Sequence, residues 1–232
     1  MKPIIVVPTY NEKENLPELL KKIFALNIHN LEIIIVDDNS PDGTQNVIKE
    51  WQIKYPVHLI ARTKKMGLGS AYIAGFKKAL DLGADFILEM DADLSHDPTD
   101  VPRLISAGKT GVDLVIGSRK IPGGKIIGWN ARRHLMSNCA MRFARIFLGL
   151  KTKDVTAGFR CFARHVLEKI DLNKIKSNGY AFQEEMLYLT ERLKFKVVEV
   201  PVTFTDRQSG QSKLNKKDIW EFFKVMMKLK IS

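Results

Sequence analysis

The sequence predicts an α/β protein with a mostly parallel central sheet flanked by helices, and three observations carry that prediction. β-Branched apolar runs alternate with amphipathic helical stretches, the runs are apolar at nearly every position, as in Glu32-Ile33-Ile34-Ile35-Val36, and polar residues gather directly after them. A strand buried on both faces has no solvent side to alternate with, and parallel neighbours need crossovers long enough to hold a helix. At 232 residues, 45% hydrophobic and 27% charged, the chain is sized for one substantial core, so a single domain over residues 1–232 is expected.

Strands are expected at residues 4–8, 31–37, 57–61 and 84–90, with helices at 14–25, 44–55 and 70–82 between them. A helix over 98–107 and a strand over 113–117 continue the rhythm, which then blurs through Pro122-Gly123-Gly124, a candidate mobile loop. A helix over 131–148, a strand-like segment over 159–162, a helix over 181–194, a strand over 196–202 and a last helix over 216–230 complete the chain.

Composition narrows the class. The apolar runs fall far short of the roughly 18 residues that span a bilayer. The first segment has one lysine before a short strand-like run and no small-residue cleavage site, so no secretory signal is expected and the cytoplasm is the expected compartment. Cys139 and Cys161 lack CxxC spacing and a histidine arrangement for zinc, and are expected as reduced thiols packed among apolar residues. The net charge of +11 points to a polyanionic partner: nucleic acid, an anionic membrane face or a phosphorylated small substrate. Most of Lys21, Lys22, Lys49, Lys77 and Lys78 are expected only to solvate helix faces.

Ligands of open parallel sheets bind beyond the carboxyl ends of the strands. There the sequence places Pro8-Thr9-Tyr10-Asn11-Glu12, Asp37-Asp38-Asn39-Ser40, Asp91-Ala92-Asp93 and Ser118-Arg119. The first of these stands where a dinucleotide fold carries GxGxxG and an ATPase carries GxxxxGK[ST], which argues against both and against a sugar-phosphate nucleotidyltransferase. Asp91 and Asp93, two apart on an extended segment, would face one side and suit Mg2+ or Mn2+, hard cations that take one or two carboxylates plus substrate phosphate oxygens. A non-catalytic nucleic-acid or anionic-membrane module fits poorly, because carboxylates in the ligand crevice repel phosphate unless a cation intervenes; no nucleic-acid partner is expected. Asp42, beside Gly43, reads as a turn residue capping the helix from Thr44.

Taken together, Val6-Val7-Pro8-Thr9-Tyr10-Asn11-Glu12, Val36-Asp37-Asp38-Asn39-Ser40-Pro41-Asp42-Gly43-Thr44, Met90-Asp91-Ala92-Asp93-Leu94-Ser95-His96, Gly117-Ser118-Arg119 and Ser209-Gly210-Gln211-Ser212-Lys213 resemble the inverting glycosyltransferases of the GT-A (nucleotide-diphospho-sugar transferase) fold. Within them the chain is similar to the polyprenyl (dolichyl) phosphate mannose synthases. The resemblance implies that Pro8, Tyr10, Glu12, Val36 and Asp38 line the nucleoside pocket. It implies that Asp91, Ala92 and Asp93 meet the diphosphate and metal, and that Arg119, Arg207 and Lys213 hold the diphosphate and the departing nucleotide. Asp91, Asp93 and Arg119 are then the catalytic set. Residues 207–213 would form a flap closing over nucleotide.

Arg133 and Ser137, four apart on one expected helix, share a face that can grip a phosphate. The resemblance makes this the lipid phosphate, alongside Arg119. It implies GDP-mannose as donor, a polyprenyl (dolichyl) phosphate as acceptor, and inversion at the anomeric carbon; a UDP-glucose-dependent synthase is the rival within the same chemistry. A phosphate monoester with its second pKa near about 6 is already an anionic nucleophile, so no general base is needed. Glu185 matches the family pattern and is expected to organise the acceptor site, with Glu184 a helix-surface charge. A lipid acceptor needs a membrane surface; residues 215–232 form an amphipathic candidate for that contact, and some relatives use a membrane-anchoring subunit.

Overall fold

β1 (Pro3–Thr9), β2 (Glu32–Asp37) and β3 (Val57–Ala61) pair in parallel, joined by α1 (Leu16–Ala25) and α2 (Thr44–Gln52). The chain returns through α3 (Leu68–Asp81) to β4 (Phe86–Glu89), which pairs in parallel with the other side of β1. The computed structural model describes residues 1–175, 177–179, 181–206 and 216–231, the last stretch with side chains for 222–230. Period-two alternation divides the core between the two faces of the sheet. Ile4, Val6, Ile34 and Val36 pack with Tyr72 and Phe76 of α3, while Ile5, Val7, Ile33 and Ile35 pack with Leu16, Leu19, Leu20 and Ile23 of α1. Each such buried side chain contributes about 1.5–3 kcal/mol. The fit between α3 and β1 depends on Gly75, where a Cβ would lie 2.2 Å from Val6 Cγ1.

The expected helix over 98–107 divides in two. Asp97 accepts from the Thr99 N–H at 2.9 Å and caps a 3-10 turn, Pro98–Asp100, before α4 (Val101–Gly108) packs beneath the sheet. β5 (Leu114–Ser118) follows. Residues 121–124 form a turn closed by Gly124 N–H to Ile121 O at 2.9 Å, leading into a short strand, β6 (Lys125–Ile127), that the sequence pattern did not suggest. α5 (Ala131–Leu148) begins where Asn130 accepts from the Arg133 N–H and stops at the left-handed Gly149.

β7 (Arg160–Ala163) runs antiparallel to both of its neighbours, β4 and β5. This reversal matters for the site: an antiparallel strand among parallel ones brings the residues that precede it, here 154–159, to the carboxyl ends of the others. α6 (Arg164–Lys169) and α7 (Ala181–Arg192) lead to β8 (Val197–Pro201), and the expected strand over 196–202 ends there, with β9 (Thr203–Thr205) turning away to pair with β6. The main sheet has the order β3-β2-β1-β4-β7-β5-β8, and β6-β9 forms a second, two-stranded sheet. α8 (Lys216–Ile231) places Met226 and Leu229 in the core face shared with α5.

The α/β class is as expected. The cysteines differ from expectation in one respect: Cys161 is buried, which pushes its thiol well up, whereas Cys139 is exposed on α5, because its helical position faces away from the contacts made by Met141 and Ala144. Lys21, Lys22, Lys49, Lys77 and Lys78 are all exposed. Among the described residues no helix is long and apolar enough to cross a membrane.

Candidate active site

The Asp91-Ala92-Asp93 triplet follows β4, but it is a bend rather than the extended segment expected from the spacing. Asp93 Oδ1 accepts from the Ser95 N–H at 3.1 Å, and Leu94 takes a left-handed φ of 62°, which turns the chain back on itself. The turn brings His96 under Asp91, where its Nδ1 accepts from the Asp91 N–H at 3.2 Å and its Nε2 lies 3.9 Å from Asp91 Oδ2. Burial lowers the His96 pKa, so the ring is neutral; with Nδ1 used as an acceptor, the proton sits on Nε2, facing the carboxylate. Tyr72 donates its hydroxyl to Asp91 Oδ1 at 3.2 Å. Burial and then the Asp91 charge raise the phenol pKa far above its ordinary value, so Tyr72 stays a donor.

Among the described residues no three His, Cys, Asp or Glu side chains gather as a metal site. Two carboxylates on one tight turn still fit Mg2+ or Mn2+, which commonly draw their remaining ligands from water and a substrate diphosphate.

At the ends of β1 and β2, Pro8 and Glu12 are half-buried, Val36 is buried and Tyr10 is exposed beneath Lys65, whose Nζ stands 3.7 Å from the ring centroid. Asp37 and Asp38 have separate duties. Asp37 accepts from Thr9, Ser40 and Gln45 and so ties β1 to the turn after β2. Asp38 pairs with Arg62 at 2.8 Å and accepts from the N–H groups of Met66 and Gly67, which fixes the loop entering α3. Asp42 accepts from the Thr44 N–H and hydroxyl, the turn role expected of it.

The cationic side lies after β5. Arg119 is clamped by Asp154, which accepts from its backbone N–H and Nε at 2.8 Å and from Nη2 at 2.7 Å; Thr156 accepts from Nη2 as well. Asp154 is fully buried; burial pushes its carboxyl up, but the hydrogen bonds and charge of Arg119 outweigh this and hold it below the ordinary carboxylate range. The guanidiniums of Arg119 and Arg133 stand 5.8 and 4.2 Å from the Trp129 ring, which brings the two arginines to one aromatic support. Arg133 donates to Asp206 at 2.7 Å, and Ser137, half-buried, follows one turn along α5. Lys120 reaches Asn138 at 2.8 Å. Phe204 links the two sides: its ring lies 5.9 Å from His96, 5.9 Å from Trp129 and 5.3 Å from the Arg119 guanidinium. Arg207 and Lys213 lie outside the described residues.

Beneath the carboxylate turn is a buried polar layer. Arg160, fully buried, donates to the carbonyls of Ala157, Gln183 and Val155. Burial raises Glu89 to about 7 and Glu184 to about 8, against the pull of Arg160. Glu184 is therefore no helix-surface charge: the first two turns of α7 are buried all round, leaving it 1% exposed. Glu185 accepts from the Ser177 N–H at 3.0 Å and from its hydroxyl.

Residues 4–171 match the profile of Glycosyl transferase family 2, close to three quarters of the chain. The chain belongs to that family. It is 44% identical over 225 residues to the polyprenol monophosphomannose synthase of Mycolicibacterium smegmatis, covering 96% of this chain and 84% of that one. It is 45% identical over 216 residues to the undecaprenyl-phosphate mannosyltransferase of Micrococcus luteus, covering 93% and 88%. The crystal structure of glucosyl-3-phosphoglycerate synthase from Mycobacterium tuberculosis, in complex with Mn2+, uridine-diphosphate-glucose and phosphoglyceric acid, superposes with a TM-score of 0.72 at 17% identity, over 98% of this chain and 79% of that one. The GT-A-like α/β fold is thereby established for this glycosyltransferase.

The sequence motifs missed Tyr72, Trp129, Asp154, Gln183, Phe204 and Asp206. Asp154 alone left a trace, as an acidic residue in a basic chain near a Thr-Ala-Gly turn; the others are ordinary residues until folded.

Proposed function

We propose that this glycosyltransferase moves mannose from GDP-mannose to a polyprenyl (dolichyl) phosphate with inversion, giving polyprenyl β-phosphomannose and GDP. The observation that carries the reading is the opposition of a carboxylate turn, Asp91 and Asp93, to a preassembled cationic face of Arg119 and Arg133 on Trp129. The names of both relatives, one a polyprenol and one an undecaprenyl-phosphate enzyme, support the acceptor and the mannose.

In this reading Pro8, Tyr10, Glu12, Val36 and Asp38 border the nucleoside, Asp38 acting through the loop it holds. Asp91 and Asp93 would hold Mg2+ or Mn2+, which when bound neutralises charge on the leaving diphosphate. The M. tuberculosis neighbour, solved with Mn2+ and a nucleotide sugar, supports that assignment. Arg119 supplies fixed positive charge toward the diphosphate and the incoming phosphate, and its clamp by Asp154 removes the cost of orienting it during reaction. Arg207 and Lys213 complete the diphosphate contacts. Arg133 and Ser137 take the acceptor phosphate, with Arg133 exchanging its Asp206 partner for a phosphate oxygen. The attacking group is already an anion, so Glu184, held protonated near neutral pH, is not called on as a base.

A lipid acceptor calls for a membrane surface, and in this reading the protein works at the cytoplasmic face. Support comes from exposed Leu135, Met136, Phe143 and Ile146 on α5 beside Phe223 and Met227 on α8, in the company of Arg132, Arg142, Lys224 and Lys228. Pelleting with anionic vesicles tests this face; failure to pellet would reserve it for a membrane-anchoring subunit. A UDP-glucose donor is the second reading, favoured by the nucleotide sugar in the neighbour of known structure. A transfer assay comparing GDP-mannose with UDP-glucose on polyprenyl phosphate, with and without Mg2+ or Mn2+, decides between them. No transfer from either donor would end the enzymatic proposal.

A further inference from the structure

The loop that the antiparallel β7 brings to the site contains Gly158. A Cβ built there would stand 3.7 Å from Gln183 Nε2, 3.7 Å from His96 Cε1 and 3.8 Å from Asp91 Oδ2, all ordinary contact distances. The missing side chain thus leaves a space of about one carbon atom, bounded by an amide, an imidazole and the first carboxylate of the Asp91-Ala92-Asp93 turn. Gly158 does not have the positive φ that would demand glycine for backbone reasons.

Gln183, at the start of α7, is only 4% exposed, yet neither its Oε1 nor its Nε2 has a hydrogen-bond partner among the described residues. Glu89 lies near enough for the amide to favour its charge, but the two do not reach hydrogen-bonding geometry. The Gln183 backbone is pinned by Arg160, whose Nη1 donates to its carbonyl at 2.8 Å. Burying such a group unpaired costs about 1–3 kcal/mol, and buried amides are otherwise almost always satisfied. The missing partner must both donate and accept, and it must fit against the Gly158 backbone.

We propose that Gln183 and the Cβ-free Gly158 form the subsite that reads hydroxyl groups of the transferred hexose. A sugar hydroxyl is both donor and acceptor, so it can give a hydrogen bond to the amide oxygen or take one from the amide N–H groups. The position beside Asp91 suits a sugar joined to the diphosphate that Asp91 serves. This inference rests on the nucleotide-sugar reading above and adds the residues that recognise the sugar as distinct from the nucleotide.

The test compares wild type with Gly158→Ala, which fills the space without backbone strain, and Gln183→Leu, which keeps volume and removes the amide. Titration calorimetry with Mn2+ measures binding of the nucleoside diphosphate alone and of the nucleotide sugar that the wild type uses, and thermal melting checks folding. Expected are unchanged affinity for the bare diphosphate, within about twofold, and a loss of about tenfold or more for the nucleotide sugar, with the donor KM rising in step. Equal loss for both ligands would assign Gln183 a structural role, and no loss for either would leave a buried water as its partner; each result overturns the proposal. Absence of transfer by the wild type from any nucleotide sugar would fell the functional reading itself, and this subsite with it. That outcome is visible before a variant is made.

Discussion

The carboxylate side and the cationic side of the crevice are built in opposite ways. After β1, β2 and β4 the polar residues come in short contiguous runs that close on near neighbours, Asp93 with Ser95, Asp91 with His96 and Asp37 with Ser40, before Thr9, Arg62 and Tyr72 add longer links. After β5 each cation depends on a distant residue, Arg119 on Asp154 and Arg133 on Asp206, 73 positions away. Local turns do much of the shaping on the first side, whereas topology shapes the second. A site of this kind should respond differently to damage on its two sides.

The largest expected effect is chemical and lies on the carboxylate side. Asp91→Ala should lower transfer by about 10³-fold while the melting temperature moves little, since Asp91 is part-exposed. Full activity in that variant would remove the metal and diphosphate assignment. On the cationic side, Asp154→Ala should harm fold and function together. It strips the clamp from a buried guanidinium, at about 3 kcal/mol of stability by urea denaturation, and should cost about 10²-fold in kcat. If stability falls without activity, Arg119 is a structural cation only.

Arg133→Ala sharpens the comparison further. It should raise KM for the lipid phosphate about tenfold and leave nucleotide affinity unchanged, because its ion pair with Asp206 is half-exposed and belongs to the acceptor face. The smallest effect concerns the buried layer common to both sides. Glu184 is held near pKa 8 when folded against an ordinary value of 4.5, so between those values the folded chain binds the extra proton. Its contribution is fully present below about pH 4.5 and is lost as pH rises through about 8. Glu184→Gln, which keeps a neutral group, should match wild type near pH 4.5 and pull steadily ahead of it in stability as pH rises toward 9; parallel stability curves across that range would contradict the buried, protonated state.

The contrast also explains what could be read from residues alone. Asp91-Ala92-Asp93 and Arg119 were legible because each directly follows a strand whose apolar run is recognisable, and the carboxyl edge of such a sheet is where ligands go. Glu184 reads as surface from its polarity alone, and the burial of the whole first half of α7 cannot be seen in six letters of helix. The extended geometry assigned to Asp91 and Asp93 failed for a local reason: the left-handed Leu94 has no glycine to announce it.

By itself the sequence determined the α/β class, the strand ends and the chemical types gathered there, because periodicity and burial are properties of single segments. Only the tertiary structure decided that β7 runs backward between β4 and β5, and hence that Asp154, Gly158 and Arg160 come to the carboxyl edge of the sheet, with Gly158 and Arg160 beside Gln183. The physical reason is that a strand's direction within a sheet is set by its partners' hydrogen bonds and by chain crossings, quantities that no short window of residues contains.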